Sequence, residues 1–452
     1  MTKKETIESY TDEMLANLAR LVKYNSVQGE AKPGMPFGEA PAAVLQEALQ
    51  IAEELGFKTV NLDNYCGYAE MGEGKDIIGI AAHLDIVPAG DGWNTDPFTL
   101  TRDGDLVYGR GSTDDKGPAI EGLYAMKLIR DAGVPLNKRV RLIFGCNEET
   151  GSRCMAHYNE VEEPLTMGFT PDANFPCIYG EKGHMAMLAK SKNTKILSMN
   201  GGFVTNAVCH RCTTVIPAGE VSKEALEEAL GKTALVSFTV TEEDKTLKIY
   251  AEGVAAHASM PLLGVNAAGC TMEALKAAGF RDDFVDFYTE HIGTKCDGSG
   301  AGIAFRDEYG DLTFNNGMIK TENGQIICTI DIRVPVTVEE EELRAAIAPY
   351  LSTEKGSFEI LNIGKPLFFP PDSDLVKALY QAYVDVTGDT ENKPMVIGGG
   401  TYAKSLPGII AFGPEMPDKD YRIHNANEFI EVSGMLQAVA VYAKALENLL
   451  LL

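Results

Sequence analysis

Residues 77–82 read Ile-Ile-Gly-Ile-Ala-Ala, an apolar run with no polar break. A strand with one wet face alternates apolar and polar side chains. An unbroken run marks a strand covered on both faces, as in parallel sheets. It therefore predicts a central strand of an open α/β sheet, and such sheets take their ligands just beyond the carboxyl ends of the strands. His83-Leu84-Asp85 stand at that end. Residues two apart on a strand face the same way, so the imidazole and the carboxylate are expected to converge there.

Flanking patterns extend this style. Helices are expected over 11–23, with Leu15, Leu18 and Val22 on one face, over 41–55, and over 117–132, with Pro118 in its first turn. Strands are expected over 58–62 and over 139–146, where Val140, Leu142 and Phe144 alternate. The fold class is α/β, a mostly parallel mixed sheet with helices on both sides. After Gly183 the pattern changes. Strands read near 184–190, 208–216, 234–241, 245–252, 312–320, 325–333 and 356–363, with helices over 265–278, 281–290 and 338–351. Paired strands with interspersed helices make an α+β region. Phe369-Pro370-Pro371-Asp372-Ser373 breaks the chain, α/β style resumes at Asp374, and a last helix covers about 430–450. The expected organisation is one α/β domain in two parts, 1–183 and 367–452, interrupted by an inserted domain over 184–366.

The 452 residues carry 65 acidic and 40 basic side chains, a formal charge of −25. Such a surface repels phosphate backbones and anionic lipid, which argues against nucleic-acid and membrane partners. The start has no apolar signal region, and no run reaches the length of a membrane span. Nine scattered cysteines, an odd number, are expected to be reduced thiols, which points to the cytoplasm. Cys209-His210-Arg211-Cys212 looks like half a zinc site but has no second pair at usable spacing.

Chemistry-bearing residues cluster at predicted strand ends. Gly109-Arg-Gly-Ser-Thr-Asp114-Asp115-Lys-Gly-Pro118 ends in adjacent carboxylates, which repel unless a cation holds them. The plainer alternative is a pair that caps the following helix. Asn147-Glu148-Glu149 follows the 139–146 strand; one glutamate can bind a metal while the other acts as general base, or both can be solvated loop residues. Asp172 in Thr170-Pro171-Asp172-Ala173, His424 in a polar loop before the last helix, and His257 in Ala255-Ala256-His257-Ala258-Ser259 complete the candidates. Singly these last could be an ordinary turn and surface histidines. His157, His184, His210 and His291 read as surface or strand positions.

In this order the segments resemble the metallopeptidase family of aminoacylase, acetylornithine deacetylase, succinyl-diaminopimelate desuccinylase and glutamate carboxypeptidase. They are most similar to its bacterial carnosinase-like dipeptidase branch. Ile397-Gly398-Gly399-Gly400-Thr401-Tyr402 and His424-Asn-Ala-Asn-Glu428 belong to the same resemblance, which spans nearly the whole chain. It implies a di-metal hydrolase that cleaves the peptide bond of dipeptides with a metal-bridging water and a glutamate base. His83 and Asp172 would hold one metal, Glu149 and His424 the second, and Asp114 would bridge them across a cis bond to Asp115. Glu148 would be the general base, Asp85 the support of His83, and His257 the oxyanion donor. Asn206 and Arg333, helped by the backbone of Gly399, Gly400 and Thr401, would bind the substrate's terminal carboxylate. Two divalent cations against three carboxylates leave one net positive charge, which acidifies a bound water. Two His and three carboxylates suit zinc or manganese.

Most relatives have a shorter lid that also forms their dimer. In the dipeptidase branch a long lid imitates the second subunit, so a monomer-competent enzyme acting on small dipeptides is expected. An N-acyl amino acid deacylase or carboxypeptidase of the same fold shares every ligand and is the first alternative. A catalytically silent binding protein on this scaffold is the second.

Overall fold

The computed structural model describes residues 3–452, and their side chains from residue 5 onward. The chain forms two compact units, one running to Gly180 and resuming over Phe368–Leu452, the other Glu181–Leu367.

In the first unit the apolar run becomes strand Ile77–His83, every residue of which is buried. It runs parallel to Arg139–Gly145 on one side and to Met167–Thr170 on the other. Ile409–Ala411 adds a further parallel strand beside Met167–Thr170. Cys66–Met71 and Lys58–Leu62 close one edge in antiparallel fashion, so the sheet is mixed around a parallel centre. Gly79 explains the single break in bulk along the run. A Cβ there would meet Leu165 Cδ1 at 2.4 Å, so the glycine admits that side chain against the strand. Helices Lys116–Asp131 and Val432–Leu451 pack on Ile77–His83 and on each other.

The second unit is an eight-stranded antiparallel sheet. Its order is Ser237–Glu243, Thr246–Glu252, Arg211–Pro217, Ser198–Gly201, Thr313–Glu322, Gln325–Val334, Gly183–Ser191 and Gly356–Gly364. Strict alternation of buried and half-buried residues along Gly183–Ser191 shows that one face is packed. That face meets helices Ala267–Ala277 and Asp283–His291 around a core including Met185, Met187, Leu275, Phe284 and Phe287.

Two expectations need correction. The helix read over 338–351 is α-helical only over Glu340–Ile347, and a 3-10 turn, Ala348–Tyr350, follows. Pro349 has no N–H to continue the ladder. The strand read over 208–216 begins at Arg211, because Val208 donates instead to Ala256 O across from the segment bearing His257. Helices Arg153–Val161 and Lys223–Leu230 and strand Cys66–Met71 were not anticipated. Both helices are short, nine and eight residues, which leaves little length over which a period can be read.

Buried Asp282 caps helix Asp283–His291 through the amides of Phe284 (2.9 Å) and Val285 (3.0 Å), and also accepts from the amide of Lys195. Asp282→Ala removes the acceptor and leaves buried donors unmet. It is expected to cost about 2 kcal/mol, seen as a lower thermal midpoint. Asp283→Ala, at the exposed neighbour, should stay within about 0.5 kcal/mol of the parent.

Candidate metal centre

Three adjacent parallel strands deliver their carboxyl ends side by side. His83 is the last residue of its strand and pairs in register with Gly145, three residues before Glu148. Asp172 lies two residues past Met167–Thr170. Asp114 comes from the loop before helix Lys116–Asp131, and His424 from the loop before strand Phe429–Glu431. Gly117, in the first turn of helix Lys116–Asp131, is required, because a Cβ there would lie 2.0 Å from the carbonyl oxygen of Ser112 in the preceding loop.

The Asp114 carboxylate stands between two imidazoles. Its Oδ1 is 2.8 Å from His83 Nε2, and its Oδ2 is 2.9 Å from His424 Nε2. His424 Nε2 is also 3.2 Å from Glu149 Oε1, and His83 Nε2 is 3.9 Å from Asp172 Oδ2. Ligand-type atoms of His83, Asp114 and Glu149 lie within 4.8 Å of one another, as do those of His83, Glu148 and Asp172. The peptide bond from Asp114 to Asp115 is cis.

Supporting contacts orient the donors. His83 Nδ1 lies 2.9 Å from the backbone oxygen of Asp85 and 3.5 Å from its carboxylate. In the neutral ring the Nδ1 proton is thus donated to that carbonyl, and the Nε2 lone pair is turned to the cluster. The Asp85 carboxylate instead accepts from the amides of Glu148 (3.0 Å) and Glu149 (3.1 Å) and so fixes the glutamate loop. Asp115 occupies the cap position of its helix but makes no side-chain cap bond. Its Oδ2 accepts from the His83 amide at 2.9 Å, which removes the helix-capping alternative for it.

The charge balance fits a cation. His83 and Asp114 are both buried. Burial opposes charge on His83, yet Asp114 and Asp85 raise its pKa well above the ordinary value. His424, likewise opposed by burial but held by Asp114 and Glu149, is pushed up to about 10. The two histidines hold Asp114 far below the usual carboxylate range against its burial. Burial, with the surrounding carboxylates, pushes Glu148 up to about 8 and Asp172 well above its usual range. Two histidines therefore cannot offset all the negative charge gathered here, whereas divalent cations can. The donor set of imidazole nitrogens and carboxylate oxygens suits zinc or manganese alike.

The remaining candidates fall elsewhere. Thr401 is buried in the first unit and its Oγ1 accepts from the Ala403 amide at 3.1 Å, beside half-buried Gly399 and exposed Gly400. Asn206, His257 and Arg333 belong to the second unit. Asn206 O accepts from the Ala258 amide at 2.9 Å, and Ala207 and His257 form an isolated bridge, so the Asn206 and His257 segments are paired. His257 Nδ1 accepts from the Ser259 amide at 3.2 Å, which leaves the neutral ring's proton on Nε2. Asn206 and Arg333 line one hollow of about 530 Å³. Asp331 grips Arg333 through Nε at 2.7 Å and a second nitrogen at 3.0 Å, and is itself 3.2 Å from His184 Nε2. Asp331 had no place in the sequence reading, and His184 was only a strand position; alternation on neighbouring strands is the signal that could have joined them.

The model of peptidase family M20/M25/M40 matches residues 79–448. A Bacillus subtilis protein described as "Putative dipeptidase YtjP" is 36% identical, with 97% of each chain covered. A Staphylococcus haemolyticus relative of the same description is 32% identical, with 99% of each covered. Human carnosine dipeptidase 1 superposes with a TM-score of 0.60 at 17% identity, over 100% of this chain and 98% of that one. The Saccharomyces cerevisiae di-peptidase Dug1p does so with a TM-score of 0.54 at 14% identity, over 100% and 98%. At those identities the structures speak for the shared fold. A family match over most of the chain, and full-length relatives above 30% identity, settle the membership: this chain belongs to peptidase family M20/M25/M40.

Proposed function

We propose that this protein is a di-metal dipeptidase. The observation that carries the reading is the Asp114 carboxylate, with one oxygen toward His83 and the other toward His424. The full-length similarity to relatives described as dipeptidases supports the choice of substrate. His83 and Asp172 would hold one cation, Glu149 and His424 the other, with Asp114 shared. Two divalent cations, zinc or manganese, would supply Lewis acidity and lower the pKa of a water at the site.

Glu148 is the general base. Its carboxyl is raised toward neutrality by burial, which suits a group that takes a proton from water and returns it to the leaving amine. Asp85 positions it by binding the Glu148 and Glu149 amides. His257, with its proton on Nε2, is the donor to the developing oxyanion. Arg333 and Asn206 receive the substrate's terminal carboxylate, with Asp331 fixing the guanidinium, and the Gly399-Gly400-Thr401 backbone assists. The inserted residues 184–366 act as a lid domain on a catalytic domain formed by 1–183 and 367–452, and one chain suffices for activity. All nine cysteines are free thiols, which agrees with the cytoplasmic location we propose. Among the described residues no helix is long and apolar enough to cross a membrane.

Four outcomes are expected. Purified protein with manganese should cleave Ala-Leu and leave N-acetyl-leucine intact; the reverse preference would make it a deacylase. Glu148→Gln should lower kcat by about 10²–10⁴-fold while its metal content, measured by atomic emission, stays that of the parent.

The third outcome concerns pH. In the metal-free protein His424 keeps its proton up to about pH 10, but ligation needs the neutral ring. Metal uptake at pH 7 should therefore release protons, and affinity should rise as pH rises toward that value. Calorimetry in two buffers of different ionisation heat measures this; equal heats would contradict it. Fourth, Arg333→Ala should raise KM at least about 10-fold, given that hydrogen bonds to charged groups are worth about 1.5–3 kcal/mol. Cleavage assays over a range of Ala-Leu concentrations read this directly.

A further inference from the structure

Glu428 closes the polar loop that holds His424, and the sequence reading gave it no role. Its side chain is fully buried. Oε1 accepts from the amides of Thr113 (3.0 Å) and Asp114 (3.2 Å), and Oε2 from the amide of Gly111 (3.1 Å) and from Arg110 (2.6 Å). The Glu428 carbonyl accepts from the Gly109 amide at 3.1 Å, and Phe429 O accepts from the Thr113 hydroxyl at 2.6 Å. The segment 109–114 is thus wrapped around one carboxylate supplied by another loop. Consecutive amides converging on an oxyanion are a strong anion-binding device, and here the anion belongs to the chain itself.

Arg110 is buried as well. It reaches toward the carbonyls of Pro88 (3.5 Å) and Ala89 (3.3 Å), and lies 5.4 Å from the ring centre of Trp93. Loop 422–428 needs such an anchor. Arg422, His424 and Asn427 all have positive φ, at 60°, 63° and 62°. Non-glycine residues hold that conformation only where surrounding contacts impose it. Asn427 contributes by accepting from the Asn94 amide at 2.7 Å. Glu428 contributes most, because a single carboxylate ties the loop of His424 to the loop of Asp114.

We propose that Glu428, paired with Arg110, is a positioning residue that sets the separation of Asp114 and His424, and thereby the affinity for the cation these two share. The proposal rests on the ligand assignment above. An amide at 428 cannot reproduce the contact: each oxygen of the carboxylate faces two donors, and an NH₂ group on either side would confront both. A fold-stabilising role alone would lower the thermal midpoint and leave metal affinity intact. A positioning role weakens metal binding and leaves substrate binding alone.

The test uses the full-length protein stripped with chelator and titrated with manganese by calorimetry, followed by kcat and KM on Ala-Leu at limiting and at excess manganese. For Glu428→Gln one of two bound ions should weaken roughly 10–100-fold, the usual cost of losing a group that orients a ligand. Its kcat should fall at limiting manganese and recover at excess, with KM unchanged. Parent-like affinity for both ions would overturn the proposal. Should Glu428→Gln not fold, Arg110→Lys, which keeps the charge but narrows the contact, must show the same loss in smaller degree; parent-like affinity there overturns the proposal equally. His424→Ala separates the two levels of inference: if it still binds two ions, the ligand assignment itself has failed.

Discussion

The structure of the first unit turns on an electrostatic constraint: more carboxylates meet at one strand edge than the protein's own cations can balance. Asp114, Glu148, Glu149 and Asp172 gather around His83 and His424. Burial raises the charging cost of Glu148 and Asp172, whereas Asp114, between two imidazoles, is held firmly ionised by the chain. Such a cluster persists in a fold when a cation completes it. The same deficit selects the chemistry, since a carboxyl raised toward neutrality beside a cation site is suited to take a proton from water.

Much of this arrangement was legible in the sequence because it follows from topology. The apolar run ending in His83 announces a central parallel strand, and Glu148 and Asp172 follow other strands of the same sheet, so all three ends meet at one edge. Asp114 and His424 are loop residues whose placement depends on tertiary packing; their convergence was expected from the family resemblance alone. Asp85 was expected to serve His83 through its carboxylate. In the structure its backbone carbonyl lies closer to the ring, and its carboxylate binds the glutamate loop. Spacing places a residue at a strand end but does not say which of its atoms is used.

The illegible parts have a common physical cause. Arg110 and Glu428 look like solvated charges in polar loops, and only the folded chain reveals that they are buried against each other. Asp331 looks like an ordinary strand residue until its neighbours Arg333 and His184 are seen on the same face. Buried charged groups are hard to read locally when a partner is hundreds of residues away, as Glu428 is from Arg110, or on another strand, as His184 is from Asp331. Proline breaks, by contrast, are local: Pro349 ends its helix for a reason the sequence already contained.

The central claim is that Asp114 is shared between two cations. The most direct measurement is anomalous diffraction from crystals grown with manganese. The account predicts two peaks, one beside His83 and Asp172 and the other beside Glu149 and His424, with Asp114 in contact with both. A single peak, or two peaks neither of which touches Asp114, would contradict it.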